Sequence, residues 1–477
     1  MKLAELVRGI QTNGKEALET EVGAIAYDSR KVRKGDVFVC IKGYQTDGHK
    51  YVKSAVENGA AAIVASDKID ADVPVLYTPD TRIALAMMAK AYFKNPLKDI
   101  KLIGVTGTNG KTTITYLIKT ILEAQNKKVG LIGTNQNMIG DKVMPTERTT
   151  PESYELYEMF ADMAHEGADY IVMEVSSHAL ELHRVGGCEF ETAIFTNLTQ
   201  DHLDFHGTME NYFNAKNKLF SMCRNAVVNT DDEYGARIAG GCKANLITYG
   251  IDKPAAMHAK NMRITARGAA YDLEYGNKEY EANIAIPGKF SVYNSLAAIG
   301  AAYSLGIDIK ICLDALKTAH GVKGRAEVVP TDTDYTVIID YAHTPDGLVN
   351  IISAVNEFKT ARVITLFGCG GDRDRTKRPK MGKAAGELSD FLVVTSDNPR
   401  TEDPSAIIDD IMPGVLESGC EYVRIESRHE AIEYALKHAK PHDIVILAGK
   451  GHETYQILKD KTIHFDEREV IHEILGK

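Results

Sequence analysis

Residues 101–125 read "KLIGVTGTNGKTTITYLIKTILEAQ". An apolar run enters a turn carrying Gly107 and Gly110, and a helical pattern begins at Lys111. The order predicts a buried strand, a tight glycine turn and a helix. Such a turn gathers backbone N–H groups at a helix N-terminus, which cradles phosphates. Lys111 can then reach terminal phosphates, and Thr112 or Thr113 can ligate Mg²⁺. The two glycines stand three apart, where the commonest phosphate loop spaces them five apart.

The same alternation extends in both directions. Downstream come "YELYEMFADMAHEG", "DYIVMEVSS", "TAIFTNL" and "NAVVNT", then a β-rich stretch over 257–286 and the helix "SVYNSLAAIGAAYSLG". Past "GVKGRAE" the runs "YTVIIDY", "RVITLFG", "DFLVVTSD", "YVRIES" and "DIVILAG" alternate with helical segments. Upstream, "GAIAYDS", "GDVFVCI", "AAIVAS" and "PVLYT" alternate with helical patterns near 50–58 and 81–93, and "NPLKDI" reads as a linker. Apolar strands between helices mean parallel sheets covered on both faces. At 477 residues the chain exceeds one ordinary core. The expected architecture is α/β in three domains, 1–97, 98–324 and 325–477: a small α/β domain, a P-loop-type domain with a mainly parallel sheet, and a Rossmann-like domain.

Composition narrows the function. A net charge of −10 argues against wrapping nucleic acid. No run approaches the ~18 apolar residues of a membrane helix, and "MKLAELVRGIQ" lacks a signal-peptide core, so a cytoplasmic chain without membrane insertion is expected. Seven cysteines with no CxxC pair read as reduced thiols.

The remaining chemistry-bearing residues cluster at predicted strand ends. "MEVSSHALELHR" brings Glu174, Ser176, Ser177 and His178, and "NLTQDHLDFHGTMENYFNAKNKLF" brings Asp201, His202, Asp204, His206 and Lys216. A carboxylate and an imidazole beside a phosphate loop suit Mg²⁺ during phosphoryl transfer. "VIIDYAHTPDGL", "LFGCGGDRDRTKRP", "TSDNPRTED" and "ILAGKGHETYQ" carry Asp340, His343, Arg373, Arg400, Lys450 and Glu453. In doubly wound sheets the C-terminal strand ends form the ligand crevice. On the residues alone, a non-ligating P-loop regulator remains the alternative to an enzyme.

In order along the chain, "YDSR", "GTNGKTT", "TTPES", "EVSSH", "TNLTQDHLDFHG", "AKNKLF", "DYAHTPD", "FGCGGDRD", "DNPR" and "AGKGHE" resemble the motifs of the Mur ligases, ATP-dependent amino-acid ligases that build the peptidoglycan stem peptide. The resemblance covers essentially the whole chain. It implies that 1–97 binds the UDP end of the substrate, 98–324 binds ATP, and 325–477 binds the incoming amino acid. Ser29, Tyr44, Gln45, Thr46, Thr149, Thr150, Ser176 and Arg184 would hold UDP-N-acetylmuramoyl-L-alanyl-D-glutamate. Gly107, Thr108, Asn109, Gly110, Lys111, Thr112 and Thr113, with Asn294, Arg325, Asp340 and His343, would contact ATP. Thr112, Glu174, His202 and Lys216, the last as a carbamate, would hold Mg²⁺, and Lys111, Lys216 and His202 would be catalytic. Arg373, Asp397, Asn398, Pro399, Arg400, Gly449 and Glu453 would form the amino-acid pocket. The chain departs from the family pattern at Arg148, Leu182 and Ser291. The arginine of "DNPR" implies meso-diaminopimelate, whose distal carboxylate suits a planar guanidinium, with Glu453 receiving the distal ammonium. Addition of L-lysine, or another Mur or folylpolyglutamate-type ligation, is the alternative. The expected partners are these small molecules, and the expected state is a monomer.

Overall fold

The computed structural model describes residues 1–43, 46–140, 142–144, 148–265, 268–319 and 321–476. It parts into two compact units, 1–249 with 300–307, and 250–299 with 308–477.

The first unit carries two sheets. Strands β1 (Ile25–Ala26), β2 (Val37–Val39), β3 (Ala62–Ala65) and β4 (Val75–Tyr77) pair in that order, all parallel. β2 and β3 are fully buried, as strands covered on both faces must be. Of "GAIAYDS" only Ile25–Ala26 is strand, because the Asp28 carboxylate accepts from Arg30 N and starts a 3₁₀ turn over Ser29–Lys31. The helix Thr81–Tyr92 is capped by Asp80, which accepts from the backbone N–H groups of Arg82 and Ile83. It buries Ala84, Leu85 and Met88 against the first sheet's core.

The second sheet contains β5 (Lys101–Thr106), β6 (Val129–Ile132), β7 (Asn137–Ile139), β8 (Lys142–Met144), β9 (Tyr170–Glu174), β10 (Phe190–Phe195), β11 (Cys223–Asn229) and β12 (Asn245–Gly250). Its order is β12-β11-β10-β5-β9-β6-β7-β8, parallel as far as β6 and antiparallel through β7 and β8. β5 lies between β10 and β9, a point where the strand order reverses, so its C-terminal end opens on the sheet's natural ligand crevice.

The second unit holds an antiparallel meander, β13 (Met257–Thr265), β14 (Gly268–Tyr275) and β15 (Lys278–Ile284). Its main sheet has β16 (Glu327–Val329), β17 (Thr336–Asp340), β18 (Val363–Phe367), β19 (Phe391–Val394), β20 (Tyr422–Arg424) and β21 (Ile444–Ala448), ordered β16-β17-β21-β18-β19-β20. Only β16 runs antiparallel. Alternation explains the two cores: Ile338, Ile446, Leu392 and Val394 pack on one face, and Ile339, Val445, Leu447 and Val393 on the other. Each such side chain contributes roughly 1.5–3 kcal/mol by leaving water. The fold is therefore α/β with mostly parallel sheets, as the strand–helix alternation predicts.

Candidate active site

The loop after β5 is set by backbone contacts. Gly107 has φ +146° and Gly110 φ +88°, conformations that favour glycine. A Cβ on Gly107 would sit 1.8 Å from Thr196 Oγ1. The segment after β10 pins the loop: Thr108 N donates to Asn197 O at 2.8 Å, Asn109 N to Asn197 Oδ1 at 2.9 Å, and Thr196 Oγ1 to Asn109 O at 2.6 Å. Lys111 opens the helix Lys111–Glu123 and folds back onto the carbonyls of Gly107 and Thr108, at 3.0 and 2.8 Å. A phosphate would offer that ammonium a stronger, charged acceptor.

Glu174 ends β9 almost wholly buried. Its carboxylate accepts from Thr112 Oγ1 at 2.8 Å, Thr134 N at 2.9 Å and Thr134 Oγ1 at 3.0 Å, all neutral donors. A buried carboxylate beside a hydroxyl, with neutral partners, is chemically fit for a hard divalent cation. Lys216 is 1% exposed, donates to Gly107 O at 2.8 Å and lies over the Tyr212 ring. Burial, together with the Lys111 charge, pushes its pKa well below that of an ordinary lysine. His202 has φ +52° and lies beside Asp201 at 3.3 Å, and burial lowers its pKa. Its ring meets that of His178, whose pKa burial lowers to about 4. Among the described residues, no hydrogen bond or ion pair joins His202 or Lys216 to Glu174.

The residues expected to hold the peptide converge. Thr149 Oγ1 is 3.0 Å from Thr134 Oγ1. Thr150 Oγ1 donates to Glu174 O and accepts from Ser176 N, and Arg184 Nη1 donates to Thr150 O. Ser176 caps its own short helix through Ala179 N. Buried Glu152 lies 3.3 Å from Arg184 Nε and 3.2 Å from Arg82 Nη1. Arg82 also donates to the carbonyls of Lys42 and Leu182. Burial and the charges of Arg148 and Arg82 lower the Arg184 pKa, which Glu152 partly offsets. Ser29 is buried, with its carbonyl accepting from Asn58, and Thr46 Oγ1 is 3.1 Å from Tyr51 OH. Tyr44 and Gln45 lie outside the described residues.

In the second unit, Arg325 lies over the Tyr341 ring and Asp340 accepts from Ala326 N at 2.7 Å. Burial raises the Asp340 pKa, and Arg325 opposes the shift. His343 Nδ1 is 2.8 Å from Tyr341 O, and Asn294 is buried. The loops after β18, β19 and β21 meet. Asn398 Nδ2 donates to Glu453 Oε2 at 2.9 Å, and the fully buried Lys450 ammonium reaches the same oxygen at 3.1 Å and Asn398 Oδ1 at 3.3 Å. Asp397 Oδ2 is buried without a hydrogen-bond partner and faces the α-carbon of Gly449. Arg400 sits at φ +53° after Pro399, and its Nη1 donates to Gly371 O at 2.8 Å. Arg373 is exposed, with Nη1 on Asp372 O. Sequence reasoning did not single out Thr134, Thr196, Asn197, Glu152 or Arg82. Each acts through a partner remote in the chain, although Glu152, Thr196 and Asn197 fall within quoted motifs.

Models of the Mur ligase middle domain, the Mur ligase glutamate ligase domain and the Mur ligase family catalytic domain match residues 105–302, 324–451 and 21–93. The chain belongs to the Mur ligase family. Over its whole length it is 50% identical to the UDP-N-acetylmuramoyl-L-alanyl-D-glutamate--2,6-diaminopimelate ligase of Clostridium botulinum (strain ATCC 19397 / Type A), of which 99% is covered. Identity to the protein of the same name from Listeria monocytogenes serovar 1/2a is 45%, over 98% of this chain and 97% of that one. A solved structure of a ligase of that name superposes with a TM-score of 0.74 at 31% identity, covering 100% of this chain and 99% of that one. The MurF ligase from Thermotoga maritima, solved with ADP, shares the fold, with a TM-score of 0.59 at 18% identity over 91% and 95% of the two chains.

Proposed function

We propose that this protein is an ATP-dependent amide-forming ligase that adds meso-diaminopimelate to UDP-N-acetylmuramoyl-L-alanyl-D-glutamate in peptidoglycan synthesis. The observation that carries the reading is 50% identity along the entire chain to proteins named for that reaction.

The D-glutamyl carboxylate is a poor electrophile until one oxygen becomes a leaving group. Transfer of the ATP γ-phosphoryl group to that oxygen gives an acyl phosphate and releases ADP. The amine of the amino acid attacks the acyl carbon, loses a proton, and expels phosphate from the tetrahedral intermediate. Lys111 and the N–H groups of 110–113 hold the phosphates in line, while those of Thr108 and Asn109 are taken by Asn197, so their contribution is positioning and charge stabilisation. Asn294, Arg325, Asp340 and His343 are assigned to ATP. Mg²⁺ bound by Thr112, Glu174, His202 and a carbamate on Lys216 would neutralise charge on the phosphates. The lowered pKa of Lys216 supports that carbamate, because only a neutral amine adds CO₂. Ser29, Tyr44, Gln45, Thr46, Thr149, Thr150, Ser176 and Arg184 are assigned to the nucleotide–peptide. Arg373, Asp397, Asn398, Pro399, Arg400, Gly449 and Glu453 are assigned to diaminopimelate. Glu453 already accepts from Lys450 and Asn398, and the carboxylate of Asp397, 3.9 Å from Arg428 Nη1, is assigned as a second acceptor for the amino acid's ammonium groups.

The working divisions are 1–97, 98–324 and 325–477. Among the described residues no helix is long and apolar enough to cross a membrane. A cytoplasmic monomer acting on small molecules fits this reading. Phosphate release from ATP should require the nucleotide–peptide and the amino acid together. Turnover of ATP alone at the full rate would instead mark a non-ligating P-loop protein.

A further inference from the structure

The loop carrying Arg400 is stitched to the loop after β18 by side chains that the proposed reaction does not use. Glu402 Oε1 accepts from Asp372 N at 2.6 Å and from Arg378 Nη2 at 2.7 Å, and its Oε2 accepts from Arg378 Nη1 at 2.9 Å. Arg378 is almost completely buried, and its other partners are Asp410 Oδ2 at 2.7 Å and Gly370 O at 3.3 Å. Thr401 Oγ1 donates to Asp372 Oδ1 at 2.6 Å, and Gly371 N donates to Asn398 O at 2.9 Å. Asp372 and Arg400, on either side of this seam, both have positive φ, +54° and +53°. A side-chain-bearing residue holds that conformation when its surroundings over-determine it. Here Gly371 and Gly370 give the close approach: a Cβ on the first would lie 1.9 Å from Pro399 O, and on the second 2.8 Å from Arg400 Nη1.

We propose that Glu402, gripped by Arg378, is the positioning residue that fixes the Arg400 guanidinium on the Gly371 carbonyl and so sets amino-acid selectivity. This rests on the diaminopimelate reading above. Among the described residues no hydrogen bond or ion pair joins the Glu402 side chain to Arg400; Glu402 acts by orienting the turn that carries Arg400. The bidentate Arg378 fork holds both carboxylate oxygens and draws the Glu402 pKa down to about 2, so the clamp keeps its charge in acid where an ordinary glutamate would protonate. In Glu402→Gln the shape is nearly kept, but one oxygen becomes an N–H₂ donor facing the Asp372 N–H or the guanidinium. The seam then loosens where Arg400 is anchored.

The test measures kcat and KM for meso-diaminopimelate and for L-lysine in wild type, Glu402→Gln, Thr401→Val and Asp410→Asn, with thermal melts of each. Glu402→Gln should raise the KM for diaminopimelate on the order of tenfold with kcat changed far less, narrowing selectivity over lysine. Thr401→Val should do the same by a few-fold, and it decides the matter if Glu402→Gln does not fold. Asp410→Asn removes the other carboxylate on Arg378 and should lower the melting temperature while leaving the ratio of the two amino acids unchanged. Loss of stability with an unchanged ratio in both loop variants would overturn the proposal, as would an equal change of ratio in Asp410→Asn. A wild type that shows no preference would refute the diaminopimelate reading instead. The KM of the better amino acid in Glu402→Gln would still decide the clamp.

Discussion

The glycine loop after β5, assigned to phosphates, and the paired loops after β18 and β19 both hang from the C-terminal ends of parallel strands, yet they are held differently. At the first, backbone does nearly everything: glycines allow the turn, and the contacts from Asn197 and Thr196 reach main-chain N–H and C=O groups. At the second, side chains grip side chains and one another's turns, through Arg378, Glu402, Thr401 and Asp372. A triphosphate presents the same groups whatever amino acid is added, and a backbone cradle suits a ligand that does not vary. The amino acid added does vary, and a side-chain clasp can be retuned by single substitutions without rebuilding a strand.

The comparison breaks first at the loop itself. Lys111→Ala should cost at least about a thousandfold in ligation while uridine-nucleotide binding persists, because it removes a charged contact made in the transition state. Gly107→Ala should be equally damaging, since its Cβ would collide with Thr196 Oγ1. Single-turnover rates with calorimetry of the nucleotide–peptide check both, and near-normal turnover in Lys111→Ala would remove the phosphate-cradle assignment.

Lys216 sharpens the contrast, as a charge-bearing side chain buried against the backbone cradle. Lys216→Ala should be inactive and partly restored by short carboxylic acids, which can supply the missing oxygen ligand. The folded pKa of Lys216 lies below its unfolded value of 10.5. Between those values the unfolded chain binds the proton and the folded chain does not, so this residue makes stability rise with pH and its burial costs stability at neutral pH. In metal-free, bicarbonate-free buffer Lys216→Met should therefore melt no lower than wild type near neutrality, with any advantage shrinking as pH rises. A clear loss of stability there would contradict the depressed Lys216 pKa.

A smaller effect is expected at the carboxylate shared by Arg82 and Arg184. Glu152→Gln removes the charge that offsets two partly buried guanidiniums, and the KM for the nucleotide–peptide should rise on the order of tenfold with kcat within a few-fold. An unchanged KM would show that Arg184 is positioned without Glu152.

Local pattern made the strand, glycine turn and helix over 101–125 legible, and likewise the strand ends that carry Glu174, Asp340 and Asp397. Periodicity and turn chemistry act over a few residues, and those elements depend on little else. Thr134 on Glu174, Asn197 on the 108–109 backbone and Arg82 on Glu152 were not legible. Each pairing joins segments 40 to 88 residues apart, and only the sheet order brings them together. "TTPES" illustrates the limit: Glu152 precedes the helix Ser153–His165, while one of its partners, Arg82, lies on the helix Thr81–Tyr92.

The central claim is that Arg400 selects a second carboxylate. A charged, bidentate hydrogen bond contributes about 1.5–3 kcal/mol, or roughly 10- to 150-fold in discrimination. Steady-state kcat/KM for meso-diaminopimelate and L-lysine should be compared in wild type, Arg400→Lys and Arg400→Ala. Wild type should favour diaminopimelate by at least about tenfold. Arg400→Lys should lose most of that preference along with the planar fork, and Arg400→Ala should lose diaminopimelate activity without gaining lysine activity. Equal use of the two amino acids by the wild type would contradict the account.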